Sequence, residues 1–119
     1  MKRIVTVLLL LQLSGCALWM ANYDSSEYSL VNKIRTTAEL GTCEPATINS
    51  LYTTTTEFKN FAQYIPRNKA TIDLSKNLYI IVDELHKREN PSPAYCKIKL
   101  NLIAKSAEQI QQVVGSKPR

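Results

Sequence analysis

Glycine is almost missing from this chain. It occurs at positions 15, 41 and 115 alone, so no glycine-rich loop can wrap a phosphate and the nucleotide-binding fingerprints are excluded. His86 is the single histidine. With only Asp83 and Glu84 beside it, it falls short of a metal set or of a catalytic base with an orienting partner. A solvated histidine near the end of a helix is the plainer reading. No apolar run approaches the roughly 20 residues that a spanning helix needs; the longest covers Ile4 to Leu11. There is no internal repeat, no low-complexity linker and no second domain. The 15 basic residues outnumber the 10 acidic ones, but they are spread along the chain as a solvated surface rather than clustered as a nucleic-acid footprint. From these absences we expect no enzyme, no cofactor, no metal and no nucleic-acid partner.

What is present begins at the N-terminus. Lys2 and Arg3 form a charged start, Ile4 to Leu11 an apolar core, and small residues follow. That is the layout of a secretory signal peptide. Leu13-Ser14-Gly15-Cys16 resembles the lipobox of bacterial lipoproteins. The resemblance implies cleavage before Cys16, acylation of Cys16 with a thioether-linked diacylglycerol and an amide-linked chain such as palmitate, and, with Ala17 rather than Asp next, residence on the periplasmic face of the outer membrane. Loss of residues 1–15 leaves 104 residues and, with Lys2 and Arg3 gone, a net charge of +3, enough for one domain. Residues 16–23 read as a lipidated tether, 24–115 as a helical domain and 116–119 as a short basic tail. Leu18-Trp19-Met20 suits either the headgroup region or packing on the domain.

With Cys16 assigned to lipid, Cys43 and Cys96 remain as an even pair. In an oxidising periplasm such a pair reads as a disulfide, with two buried thiols as the competing reading.

The domain reads as four helices. Asp24 caps the first, Glu27 sits where a capping box would place it, and Leu30, Val31, Ile34 and Ala38 recur at helical spacing up to Gly41, a plausible stop. Pro45 opens the second, whose face carries Ile48, Leu51, Tyr52, Thr55, Phe58, Ala62 and Ile65. The run Thr53 to Thr56 has strand-like propensity, against which the flanking 3.6-residue period argues for helix. Pro66 ends it. The third starts at Asn68 or Thr71 and presents Leu74, Leu78, Ile81, Val82 and Leu85. Asn90-Pro91 breaks the chain, Ser92 and Pro93 start the fourth, and Cys96, Leu100, Ile103, Ala107, Ile110 and Val114 form its stripe. Short connections make this an all-α fold, a small antiparallel four-helix bundle. That topology places Cys43 and Cys96 at one end.

The expected function is that of a non-enzymatic, lipid-anchored envelope protein presenting a protein-binding domain. Glu57-Phe58-Lys59-Asn60-Phe61 and Tyr95-Cys96-Lys97-Ile98-Lys99 loosely resemble small lipoproteins of bacteriophages and prophages. That resemblance implies superinfection exclusion or, alternatively, the outer-membrane subunit of a lysis spanin. A periplasmic inhibitor or immunity lipoprotein is the remaining alternative. The chain ends Lys117-Pro118-Arg119 and so departs from the terminal lysine by which the murein lipoprotein is joined to peptidoglycan. A partner across the periplasm would meet the distal end, around Glu44, Glu89 and Asn90. A partner in the same membrane would meet the proximal end, around Tyr64 and Arg67. Tyr64 and Tyr79 are the tyrosines expected at an interface.

Overall fold

The computed structural model describes residues 21–119. The residues read above as a signal peptide, a lipobox with Cys16, and the Leu18-Trp19-Met20 segment therefore lie outside the described residues. Four helices follow one another: α1 (Ser25–Leu40), α2 (Pro45–Tyr64), α3 (Lys69–Lys87) and α4 (Pro93–Gly115). Among the described residues there is no strand, and no helix is long and apolar enough to cross a membrane.

Each helix begins for a readable reason. The Asp24 carboxylate accepts the amide hydrogens of Ser26 and Glu27, at 2.8 and 3.0 Å, and so satisfies two of the donors a helix start leaves free. Pro45 opens α2 and Pro93 opens α4, where a missing N–H costs nothing. The Ser92 hydroxyl caps α4 by accepting from the Tyr95 amide. The turn between α3 and α4 reverses at Asn90, whose φ of 48° lies in the left-handed region that asparagine tolerates better than most residues.

The threonine run is helical throughout. Thr54 and Thr55 are buried, and the Thr56 hydroxyl donates to the Tyr52 carbonyl one turn back at 2.8 Å. Burial of the α2 stripe overrides the residues' strand propensity.

Two helices end at glycines. Gly41 follows α1 with extended backbone (φ −61°, ψ 120°) rather than a left-handed turn. Glycine is suited there because a Cβ would sit 3.0 Å from the Thr37 and Ala38 carbonyls and 3.1 Å from a methyl of Leu100. Helix α4 continues through Gly115 and is capped at Ser116.

The helices form a square. α1 packs on α2 and α4, and α3 packs on α2 and α4. Neighbours in sequence are antiparallel, as short connections require. Phe58 of α2 is fully buried, together with Val31 and Ile34 of α1, Val82 of α3 and Ile103 of α4. The α4 stripe from Cys96 to Val114 is buried along its whole length, whereas Tyr52, Ile65, Leu74 and Ile81 are half-buried at the edges of their stripes. The interior also holds polar side chains that periodicity did not assign to it, among them Glu27, Asn68, Thr71, Ser75, Gln111 and Lys117.

Cys43 and Cys96, 53 positions apart in sequence, are joined by a disulfide, with their Cα atoms 6.0 Å apart. The bond ties the α1–α2 connection to the first turn of α4, at the end where α3 finishes. On the chain-entropy account a loop of this length removes about 4 kcal/mol of denatured-state freedom. Reduction is therefore expected to lower unfolding stability by about 2–4 kcal/mol while the far-ultraviolet helical signal at low denaturant persists. Urea titrations with and without reductant, together with non-reducing peptide mapping, check both statements.

Candidate functional site

Three surfaces carry chemistry: the two ends of the bundle and the α2–α3 side. The end where the chain enters is built around two buried charges. Glu27, in the first turn of α1, is fully buried, and Lys117, just beyond α4, is 5% exposed. The Lys117 ammonium donates to one Glu27 carboxylate oxygen and to the Asn68 side-chain oxygen at 2.5 Å. The Asn68 amide nitrogen donates to the other Glu27 oxygen at 2.7 Å and to the Ala62 carbonyl at 3.0 Å. This closed triangle connects the start of α1, the α2–α3 turn and the C-terminal tail. Outside it, the Tyr23 amide donates to the Pro118 carbonyl at 2.8 Å, and the Arg119 guanidinium lies 4.5 Å from the centre of the Tyr23 ring.

Residues 116–119, read from the sequence as a short basic tail, are thus part of the fold. Glu27 does not reach back to cap α1 as a capping-box residue would. The signal that could have exposed the triangle was weak: an acidic residue in line with Val31, Ile34 and Ala38, on the apolar face of its helix.

Beside the triangle, Tyr64 and Arg67 share a cleft of about 400 Å³ with Asn22, Tyr23, Phe61 and Pro66. Tyr64 is 87% exposed. Arg67 adopts a left-handed backbone, φ 59°, which costs an ordinary residue roughly 1–2 kcal/mol.

At the opposite end Glu44, Glu89 and Asn90 are all exposed on the two connections at the disulfide end. Asn90 borders a cleft of about 360 Å³ with Pro91, Arg88, His86, Asn49 and Cys43. The two groups of residues named from the sequence therefore occupy opposite ends of the bundle.

The third surface was not assembled from the sequence. The Tyr52 and His86 rings stack in parallel, with centroids 4.0 Å apart. His86 Nε2 lies 3.2 Å from the Asn49 side-chain oxygen. The Tyr52 and Tyr79 hydroxyls are 3.2 Å apart, and the Lys59 ammonium sits 4.0 Å above the Tyr79 ring. Tyr52, expected in the core, is half-buried and forms the middle of this stripe, while Tyr79 is half-buried rather than free. The spacing of Tyr79, Asp83 and His86 on α3, one helical face, was the available clue. Tyr79 is pushed up to about 12 from 10.0, chiefly because losing its proton forfeits its hydrogen bond to Tyr52. Lys87 is raised by its hydrogen bond to Asp83, and Lys99 by its hydrogen bond to Glu84 across the α3–α4 groove at 2.6 Å.

None of these surfaces holds a nucleophile beside a base, and no group of three or more potential metal ligands occurs among the described residues. What they offer is aromatic and cationic contact of the kind that dominates protein interfaces. No protein-family model, characterised protein or solved structure gives a significant match to the chain.

Two outcomes follow from this geometry. Lys117→Met leaves Glu27 buried without its counter-charge and is expected to cost about 3–5 kcal/mol, whereas Glu27→Met with Lys117→Met is expected to recover most of that loss. Urea denaturation of the single and double variants measures both. In an ultraviolet titration of the tyrosines, one phenol is expected to ionise near 12 rather than 10.0, and Tyr52→Phe should return it toward 10.0. Because the folded value lies above the ordinary one, Tyr79 contributes stability in full below about pH 10 and loses it as pH climbs toward 12.

Proposed function

We propose that this protein is a non-enzymatic, lipid-anchored protein of the bacterial envelope, whose small helical domain binds another protein on the periplasmic side of the outer membrane. The observation that carries the reading is Leu13-Ser14-Gly15-Cys16, placed behind a charged and then apolar start and a few residues ahead of a folded domain. The Cys43–Cys96 disulfide supports it independently, because such bonds persist in oxidising compartments and are rare in the reducing cytosol.

The domain meets its anchor closely. Ala21 is buried and Tyr23 is bonded to Pro118, so the leash from Cys16 to Ala21 extends at most about 18 Å. The end carrying the Glu27–Lys117 pair then faces the membrane, and the disulfide end faces away.

The membrane-proximal end is the better binding surface. Tyr64 and Arg67 are of the residue types that most often anchor protein interfaces, they are exposed, and they share a cleft with Tyr23 and Phe61. The distal end offers Glu44, Glu89, Asn90 and prolines, with Leu40 exposed and the Arg88 guanidinium already stacked on the Tyr95 ring. This favours a partner embedded in the same membrane, as in receptor blocking by a phage-encoded exclusion protein, over a partner reaching across the periplasm, as in a spanin pair. α4, with 23 residues, is about 35 Å long, so a bridging role would need a long partner in any case.

Cys16→Ser is expected to abolish palmitate labelling and to leave the precursor uncleaved; a wild-type protein that takes up no palmitate would refute the anchor. Tyr64→Ala is expected to abolish capture of an outer-membrane partner at an unchanged melting temperature, and adding Arg67→Glu should not restore it. Reversing the charges of Glu44 and Glu89 should leave capture intact. Crosslinking in whole envelopes reads both, and the opposite pattern would assign the protein to bridging.

A further inference from the structure

On the α1–α4 side of the bundle, opposite the aromatic stripe, one oxygen of Asn32 holds two side chains. Asn32 Oδ1 accepts from the Gln111 amide nitrogen at 3.0 Å and from a terminal nitrogen of Arg35 at 3.4 Å. Held in this way, each of the two keeps one polar atom unpaired. Gln111 is 8% exposed, and its Oε1 has no hydrogen-bond partner. Arg35 Nε is likewise buried and unbonded; the Glu39 carboxylate, one turn on, lies 3.8 Å away, beyond hydrogen-bond reach. Both residues line a groove of about 480 Å³, together with Glu108 and Tyr28. That size is within the range of pockets that enclose small ligands, roughly 300–1,000 Å³. We propose that this groove binds a small zwitterion, an amino acid or short peptide, through its ammonium and carboxylate groups.

The ligand's chemistry follows from the atoms left unpaired. A buried acceptor is costly until a donor reaches it, so Gln111 Oε1 calls for an N–H. Arg35 Nε belongs to a cation and calls for an anionic acceptor, with which its hydrogen bond is strongest. Glu108 is exposed on the same groove and adds a carboxylate that a ligand cation can meet. Arg35 and Glu108 carry opposite charges, so a ligand with both signs gains from both residues and a simple ion from only one. An amino acid or short peptide has both signs, and its cation carries N–H hydrogens.

Two further features suit this ligand. Asn32 fixes Gln111 and Arg35 in advance, so binding orders little that is not already ordered. The Tyr28 ring gives the groove an apolar wall for a ligand side chain. Gly115 leaves the ring room, since a Cβ there would sit 3.3 Å from it. The site uses neither Cys16 nor Tyr64 and Arg67, so it stands or falls apart from the anchor and from protein recognition at the proximal end.

The experiment titrates the nitrogen-15-labelled full chain with alanine and with alanyl-alanine and follows the Gln111 side-chain amide by nuclear magnetic resonance. At least one probe is expected to saturate with a dissociation constant of about 1 mM or below and to shift that signal. Tighter binding of alanine assigns the groove to free amino acids, and tighter binding of alanyl-alanine assigns it to peptides. The N,N,N-trimethyl form of the probe that binds keeps both charges but has no N–H on its cation. It is expected to bind about tenfold more weakly, because Gln111 Oε1 is then left unpaired. Gln111→Leu should weaken the unmodified probe by about the same factor, with helical circular dichroism unchanged. Glu108→Gln, at an exposed position, should weaken it several-fold. Saturation by neither probe overturns the proposal. So does equal binding of the trimethyl form, or an affinity that survives both Gln111→Leu and Glu108→Gln. Should Gln111→Leu fail to fold, the trimethyl form and Glu108→Gln decide the matter in its place.

Discussion

A lysine and a glutamate with almost no access to water hold one end of this bundle together. Removing two charges from water is expensive, and their mutual attraction offsets the cost only when the remaining donors and acceptors are also satisfied. Asn68 meets that condition by bonding both charged partners and the Ala62 carbonyl. Three segments far apart in sequence are thereby obliged to meet: the first turn of α1, the α2–α3 turn and the residues after α4. An apolar contact could supply similar stability, but it would tolerate sliding. A charge that is buried only when paired does not.

The opposite end is closed by a covalent bond. The Cys43–Cys96 disulfide acts mainly on the unfolded chain, by shortening its reach. The ion pair acts on the folded state, by penalising any arrangement that separates its partners. With both ends held, the four apolar stripes between them can pack as a square around Phe58 without a large core.

Closure of the ends also determines which surfaces are available to a partner. The sides of the bundle are partly occupied by internal contacts, such as the Tyr52–His86 stack and the Lys99–Glu84 pair. The end where the chain enters keeps Tyr64 exposed above the buried Glu27, Asn68 and Lys117 triangle. Preorganised aromatic and cationic groups lose less conformational freedom on binding than flexible ones. This is the physical basis for the proposal that recognition falls at the end where the chain enters.

Much of the fold was legible because helix-forming signals are local. Asp24, Pro45, Pro66, Ser92 and Pro93 act within a turn of themselves, and the 3.6-residue recurrence of Val31, Leu51, Leu78 and Leu100 marks an inward face whatever lies opposite. The pairing of Cys43 with Cys96 was read from the even pair that remains once Cys16 is set aside on the lipobox resemblance, and antiparallel topology agreed by placing both at one end. The sequence by itself therefore determined the four helices, their order and their inward stripes, and it placed the two cysteines at one end; the structure joins them.

Only the tertiary structure decided which polar residues are interior, that the last residues belong to the fold, and that Tyr52, Tyr79 and His86 form one stripe. The reason is range. A cap or an apolar stripe is specified by residues within a few positions, whereas Glu27 and Lys117 are 90 residues apart and His86 meets Asn49 across 37. A charged side chain in isolation reads as surface. It becomes interior only when a distant partner arrives to neutralise it, and that partner is supplied by the packing of the helices.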